Sequence, residues 1–223
     1  LVINVVVAIG AVVVPRLSYY LKNGKMKEFK ELVHKNFDIL LLMSLPCFVG
    51  LTMIGKAVMI AFCGEDFLAA VPAMHIMNLL IIVIGLSGLM GYQTFVPMGK
   101  EKLILYGMSF AVGLNVVLNL IFIPKYNISG AAMATVCSEG LFLGLLLFWG
   151  RKIVDLKQVG RYFLLYLFNA SVMGIFVYIC IRFIPGMWLS TGVAIFTGLL
   201  VYGIMLILEK NRFVMDFLKA IQR

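Results

Sequence analysis

Acidic side chains are scarce in this chain: there are ten aspartates and glutamates among 223 residues, and charged residues of both signs make up only 13%. A soluble domain carries roughly a quarter charged residues, so a surface bathed in water on every side is excluded. Histidine is rarer still, with only His34 and His75, far apart and too isolated to form a ligand set. The four cysteines, Cys47, Cys63, Cys137 and Cys180, include no CxxC pair, and three of them sit inside apolar runs. They read as small apolar packing residues rather than metal ligands. No glycine-rich phosphate loop followed by lysine is present, nor a nucleophile beside a base. We therefore expect no enzyme, no metal and no cofactor. Period-2 alternation is absent too, and the apolar runs are about twice as long as a barrel strand, which removes a β-barrel.

What the chain has is hydrophobicity, 63% of its residues, with a mean hydropathy of +1.06. A bilayer core of about 30 Å needs roughly 20 apolar residues in a helix. Six stretches reach that length: 37–59, 69–96, 103–123, 128–149, 163–183 and 187–208. A seventh, 1–14, is too short to span and reads as the end of a helix whose start lies upstream, so that the chain is the C-terminal part of a longer protein. The fold class expected is an all-α membrane protein, a polytopic helical bundle of about six full transmembrane helices plus one truncated N-terminal helix.

Basic residues orient that bundle. If successive connections alternate sides, one side collects sixteen of the nineteen lysines and arginines and the other only Lys56, Lys125 and Arg182. Positive charge concentrates on the cytoplasmic side, so the C-terminus is expected inside. The net charge of +9 follows from this asymmetry. It implies anionic lipid headgroups as neighbours and no nucleic acid. Within the longest basic connection, 16–36, Met26, Phe29, Leu32 and Val33 recur at helical spacing among lysines and glutamates. That pattern predicts an amphipathic helix lying in the interface, either a passive anchor or a coupling element.

A few polar residues stand within the spans. Glu139 is central in 128–149, about 16 Å from either end, where a carboxylate must be paired, wetted or protonated. Ala131, Thr135 and Ser138 share its face; the residue is a candidate for ion coupling or for a structural contact. Asn115 and Asn119, one turn apart, could bind sugar hydroxyls or hold two helices together, and Gln93 and Asn78 carry the same ambiguity. Arg16, after Pro15 at the cytoplasmic mouth of the first helix, could meet a pyrophosphate or simply snorkel. Gly85, Gly88, Gly91 and Pro97 should make the third span deformable, as Pro46 and Gly50 should the second. Gly140 and Gly144 have the spacing of a close helix contact.

Several stretches resemble the C-terminal lobe of bacterial polysaccharide flippases, which move O-antigen or capsule repeat units and belong to the multidrug/oligosaccharidyl-lipid/polysaccharide exporter superfamily. They are Pro15-Arg16-Leu17-Ser18 with Asn23-Gly24-Lys25, and Phe62-Cys63-Gly64-Glu65-Asp66-Phe67. Gly85-Leu86-Ser87 through Gln93 to Pro97-Met98-Gly99-Lys100-Glu101-Lys102 is another, as is Asn119 to Tyr126 with Gly130-Ala131-Ala132 and Ala134-Thr135 to Glu139. The resemblance covers residues 10–150, and the last two spans match in hydropathy alone. It implies a lobe of helices 8–12 over residues 1–150 (the first one truncated) and two additional helices with a cytoplasmic tail over 151–223. The missing N-terminal lobe of the same protein would complete a central cavity. The implied cargo is an undecaprenyl-pyrophosphate-linked oligosaccharide, carried outward across the bacterial cytoplasmic membrane. Arg16 would meet the anionic head, Gln93, Asn115 and Asn119 the sugar, and Glu139 a coupling proton or sodium ion. A drug or cation antiporter of the same superfamily, a flippase for the peptidoglycan lipid precursor and a membrane glycan polymerase are the alternatives.

Overall fold

The computed structural model describes residues 13–209, and all regular structure among them is helical. Most of the predicted first, truncated helix, residues 1–12, lies outside the described part, as does the basic tail from 210 onward. Hydrocarbon offers no partner to a backbone N–H or C=O, so long apolar segments satisfy these groups internally as helices.

Helix α1 is described over 13–22. It stops at Asn23-Gly24, where Gly24 adopts φ 67° and the Lys25 N–H returns to the Tyr20 carbonyl, a turn that glycine makes without a Cβ clash. Helix α2, Met26–Met53, follows at once and runs for 28 residues. The expected interfacial helix is therefore not a separate element: it is the first turns of the spanning helix. The reason lies in the stripe Phe29, Val33, Phe37, Leu40 and Leu41, which continues one buried face from the charged segment into the apolar one with no breaker before Pro46. Lys27, Glu28, Glu31 and Lys35 of that segment face outward, and so does Met26 at its start, which the predicted apolar face had included.

The second predicted span ends earlier than expected, at Met53. Ile54 turns the chain into a nine-residue helix α3, Gly55–Cys63, too short to cross a bilayer. At Gly55 the ring of His75 packs where a Cβ would stand, 2.6 Å from its Nε2. A 3-10 turn, Glu65–Ala70, then leads into α4, Val71–Asn78, and α5, Leu80–Gly88. Helix α5 continues as a π-helical segment, Leu89–Phe95, so the glycine-rich span is deformed where Gly88 and Gly91 lie.

Helix α6, Glu101–Gly150, is nominally 50 residues long, but Asn127 at φ 50°, ψ −126° breaks it into two antiparallel arms. Helices α7, Leu156–Phe183, and α8, Met187–Leu208, complete the chain. By length and apolarity five stretches can cross a membrane, and because α6 is a hairpin these make six crossings among the described residues.

The helices are arranged in sequence across the bundle: α8 on α7, α7 on α2, α2 on α5, and α5 with its π-helical extension on the α6 hairpin. Phe37, Leu41, Leu45, Leu89, Met90, Leu146 and Tyr166 form the centre of the core. Between helices in lipid the hydrophobic effect provides little drive, and close packing over small residues takes its place. Gly107 lies under the Phe142 ring, Gly174 against Val49, and Gly198 against Val177. Gly140 and Gly144, in contrast, have open space above them, so the contact face expected there packs against no described helix. The second arm of α6 turns Ala134, Ser138, Phe142 and Leu146 inward instead. Leu120, Phe196 and Leu199 are among the large apolar side chains on the outside, as a lipid-facing surface requires.

Candidate functional site

The α6 hairpin owes its geometry to its turn. Gly130 lies so close to the Phe122 carbonyl that any side chain would collide with it, and this closeness holds the two arms together just beyond Asn127. The antiparallel register then brings Asn115 opposite Ser138, and the amide Nδ2 donates to the hydroxyl at 2.8 Å. Asn119, one turn along, donates its own Nδ2 to the Asn115 carbonyl at 2.9 Å and to the Asn115 side-chain oxygen at 2.8 Å. Ser138 donates back to the carbonyls of Ala134 and Thr135, and Thr135 to that of Ala131.

These bonds occupy the hydroxyl protons and most of the amide protons within the hairpin. The hairpin lines a groove of about 300 Å³ in which Asn115, Thr135, Ser138 and Glu139 form the polar stripe and Met108, Val112 and Phe142 the apolar walls. Glu139 is half-buried there, and no side chain among the described residues pairs with its carboxylate. An oxygen-lined groove without a basic group can accept from sugar hydroxyls or hold a cation, and it does not suit an anion.

The structure thus brings together three of the five residues singled out from sequence, Asn115, Asn119 and Glu139. Gln93 lies elsewhere, buried between the π-helical segment and α2, where its Oε1 faces Asn36 Nδ2 at 3.5 Å. Arg16 is exposed on α1, its Nε 3.1 Å from the Tyr20 hydroxyl and its guanidinium 5.7 Å above that ring. Asn78, ambiguous in sequence, bonds Thr52 of α2 at 3.4 Å and joins two helices.

A second polar cluster went unread in the sequence. Tyr166 of α7 donates its hydroxyl to Asp38 of α2, and the fully buried Asn169 donates to Glu209 at 2.8 Å. Nearby, Lys30 donates to the Lys152 carbonyl at 2.9 Å, and the Asp155 backbone N–H donates to His34 Nε2 at 3.1 Å. The bonds to Asp38, Lys30 and His34 fasten α7 and the segment before it onto the lower part of α2, and the Asn169–Glu209 bond ties α7 to the end of α8. Asn169, the one amide within the run 163–183, was the available sequence signal.

Comparison with known proteins places this arrangement. The family model for the lipid II flippase MurJ matches residues 4–200, nearly the whole chain. The chain belongs to the lipid II flippase MurJ family. A solved structure of a lipid II flippase MurJ in an inward closed conformation superposes with a TM-score of 0.74 at 21% identity, over 92% of this chain and 43% of that one. An uncharacterized membrane protein of Methanocaldococcus jannaschii is 23% identical over 181 residues, 79% of this chain and 34% of the relative. The chain spans less than half the length of either. The family lies in the exporter superfamily expected from the sequence, and its members are transporters, not enzymes. The cargo in its name is lipid II, however, and not the O-antigen or capsule repeat unit to which the sequence resemblance pointed.

Proposed function

We propose that this chain is one lobe of a flippase for polyprenyl-pyrophosphate-linked saccharides, with the α6 groove on the path of the saccharide. The observation that carries the reading is the family match across residues 4–200. Lipid II, the peptidoglycan precursor, is the first cargo to test. The missing N-terminal lobe would supply the other wall of the cavity. The basic end of the bundle would face the cytoplasm of a bacterial cell, with the C-terminus inside. Arg16 would receive the pyrophosphate, Asn115 and Asn119 the sugar, and Glu139 a proton or sodium ion. Cargo would reach Gln93 only if α2 and the π-helical segment separated.

A repeat unit of O-antigen or capsule is the second reading, and one observation favours it. The groove offers one amide, two hydroxyls and one carboxylate but no lysine or arginine, which suits a neutral sugar better than a cargo bearing several acids.

Depletion of the full-length gene decides between them. Lipid II accumulating on the cytoplasmic leaflet, and cleared when the gene is restored, supports the first reading. A completed repeat unit accumulating there instead supports the second. If both species reach the outer leaflet normally while drug sensitivity changes, the flippase reading is lost to the exporter.

A further inference from the structure

Pro46 stands inside α2, the long helix that packs on α7 to one side and on α5 to the other. A proline has no N–H, so the Leu42 carbonyl, four residues earlier, loses the donor that would otherwise continue the helical ladder. In hydrocarbon no water can replace it. The structure shows what does: Tyr202 of α8, itself buried, donates its hydroxyl to the Leu42 carbonyl oxygen at 2.7 Å. The hydrogen bond missing from one helix is thus supplied by the side chain of another, 160 residues away in sequence.

The surroundings differ on the two sides of this point. Below it α2 is fastened to α7 through Asp38 and Tyr166. Above it, an apolar cavity of about 340 Å³ opens beside the outer half of α2, with Cys47, Gly50 and Leu51 on one side and Ala194, Ile195 and Gly198 on the other. The lower half of α2 is held to α7 by a polar contact, whereas the upper half, tied to α4 through Thr52 and packed on α7 through Val49, borders open space on the side of α8. Between them lies a residue that weakens the helix.

We propose that Pro46 is a hinge in α2 and that the Tyr202 hydroxyl is the bolt that holds it, so that the α7–α8 pair restrains the bending of the central helix. Tyr202 contacts no part of the α6 groove, and the device operates whatever the cargo is. When the bolt is drawn, the outer half of α2 tilts into the cavity and carries the wall of α5 with it.

The test is a double-mutant cycle on the full-length protein in liposomes, with Cys47 kept as the reporter and every other cysteine replaced by alanine. The rate at which N-ethylmaleimide labels Cys47 measures opening at the hinge. Tyr202→Phe removes only the hydroxyl and should raise that rate about tenfold, the effect of leaving a buried carbonyl unsatisfied. Pro46→Ala restores the backbone donor to Leu42, so in that background Tyr202→Phe should change the rate less than twofold. An equal effect of Tyr202→Phe in both backgrounds, or no effect in either, overturns the proposal. If the Tyr202→Phe protein does not survive purification, Pro46→Ala alone carries the test: slower labelling than wild type supports the hinge, and unchanged or faster labelling overturns it.

Discussion

Glu139 is a carboxylate in the middle of a spanning arm with no counter-charge among the described residues, at a depth where an ionised acid costs about 3 kcal/mol or more. A residue so placed for packing alone would be improved by neutralisation, and this separates the two readings of it. Glu139→Gln should leave the thermal midpoint of the full-length protein unchanged or slightly raised, while flipping in liposomes falls about tenfold and loses its dependence on an ion gradient. Flipping at the wild-type rate, with the gradient dependence intact, would remove Glu139 from the mechanism. Asn127 yields a second prediction at this scale. Its backbone, at φ 50° and ψ −126°, lies where only glycine is comfortable. Asn127→Gly should therefore stabilise the hairpin by about 1 kcal/mol, read as a higher melting temperature in detergent.

Among the elements, the hairpin and the α7 dock make contrasting predictions. Gly130→Ala drives a methyl group into the Phe122 carbonyl, a backbone atom that cannot rotate away. The cost should reach ~3 kcal/mol or more, with most of the protein lost from the membrane fraction. Tyr166→Phe leaves the Asp38 carboxylate without its donor but removes no packing, so a smaller loss of about 1 kcal/mol is expected. The number and type of spanning elements could be read from sequence, because the length of an apolar run reports directly on bilayer thickness. The pair Asn115 and Asn119 could also be read, because helical spacing puts i and i+4 on one face. Gln93 shows where that logic stops: spacing says which residues share a face and nothing about which way the face points. The inserted π-helical turn rotated it towards Asn36. Asn169 stood out in its run, but its partner Glu209 and the Asp38–Tyr166 pair could not be read for a related reason, since they come together only when α7 and α8 fold back on α2. The interfacial helix was misjudged because amphipathicity near a span looks the same whether the helix continues into the membrane or stops before it.

For the molecule as a whole, the serial order α8, α7, α2, α5, α6 places α2 between the α7–α8 pair and the α5–α6 pair. The charge asymmetry makes a prediction at this scale. In intact cells a membrane-impermeant thiol reagent should label native Cys63, exposed at the end of the short helix α3, and should not label a cysteine introduced at Lys152. The reverse pattern would invert the proposed orientation, and with it the direction in which cargo would enter the groove. Family membership came from the comparison and not from the residues singled out, because the features that define this lobe are distributed along its length and none is diagnostic alone.

The π-helical segment Leu89–Phe95 has one more consequence. Such a turn holds one residue more than the α-helix it extends, so it works as an inserted letter that shifts by about 100° the phase of the residues that end the helix, before the chain turns at 96–99. Removing a single residue between 89 and 95 would leave an unbroken, better-bonded α-helix. It would also rotate the last residues of the segment away from their partners. Phe95 would leave the core and Gln93 would turn away from Asn36. At this segment a length change of one is therefore predicted to be more damaging than most substitutions, and lobes of this kind that differ there in sequence should still agree in the number of residues.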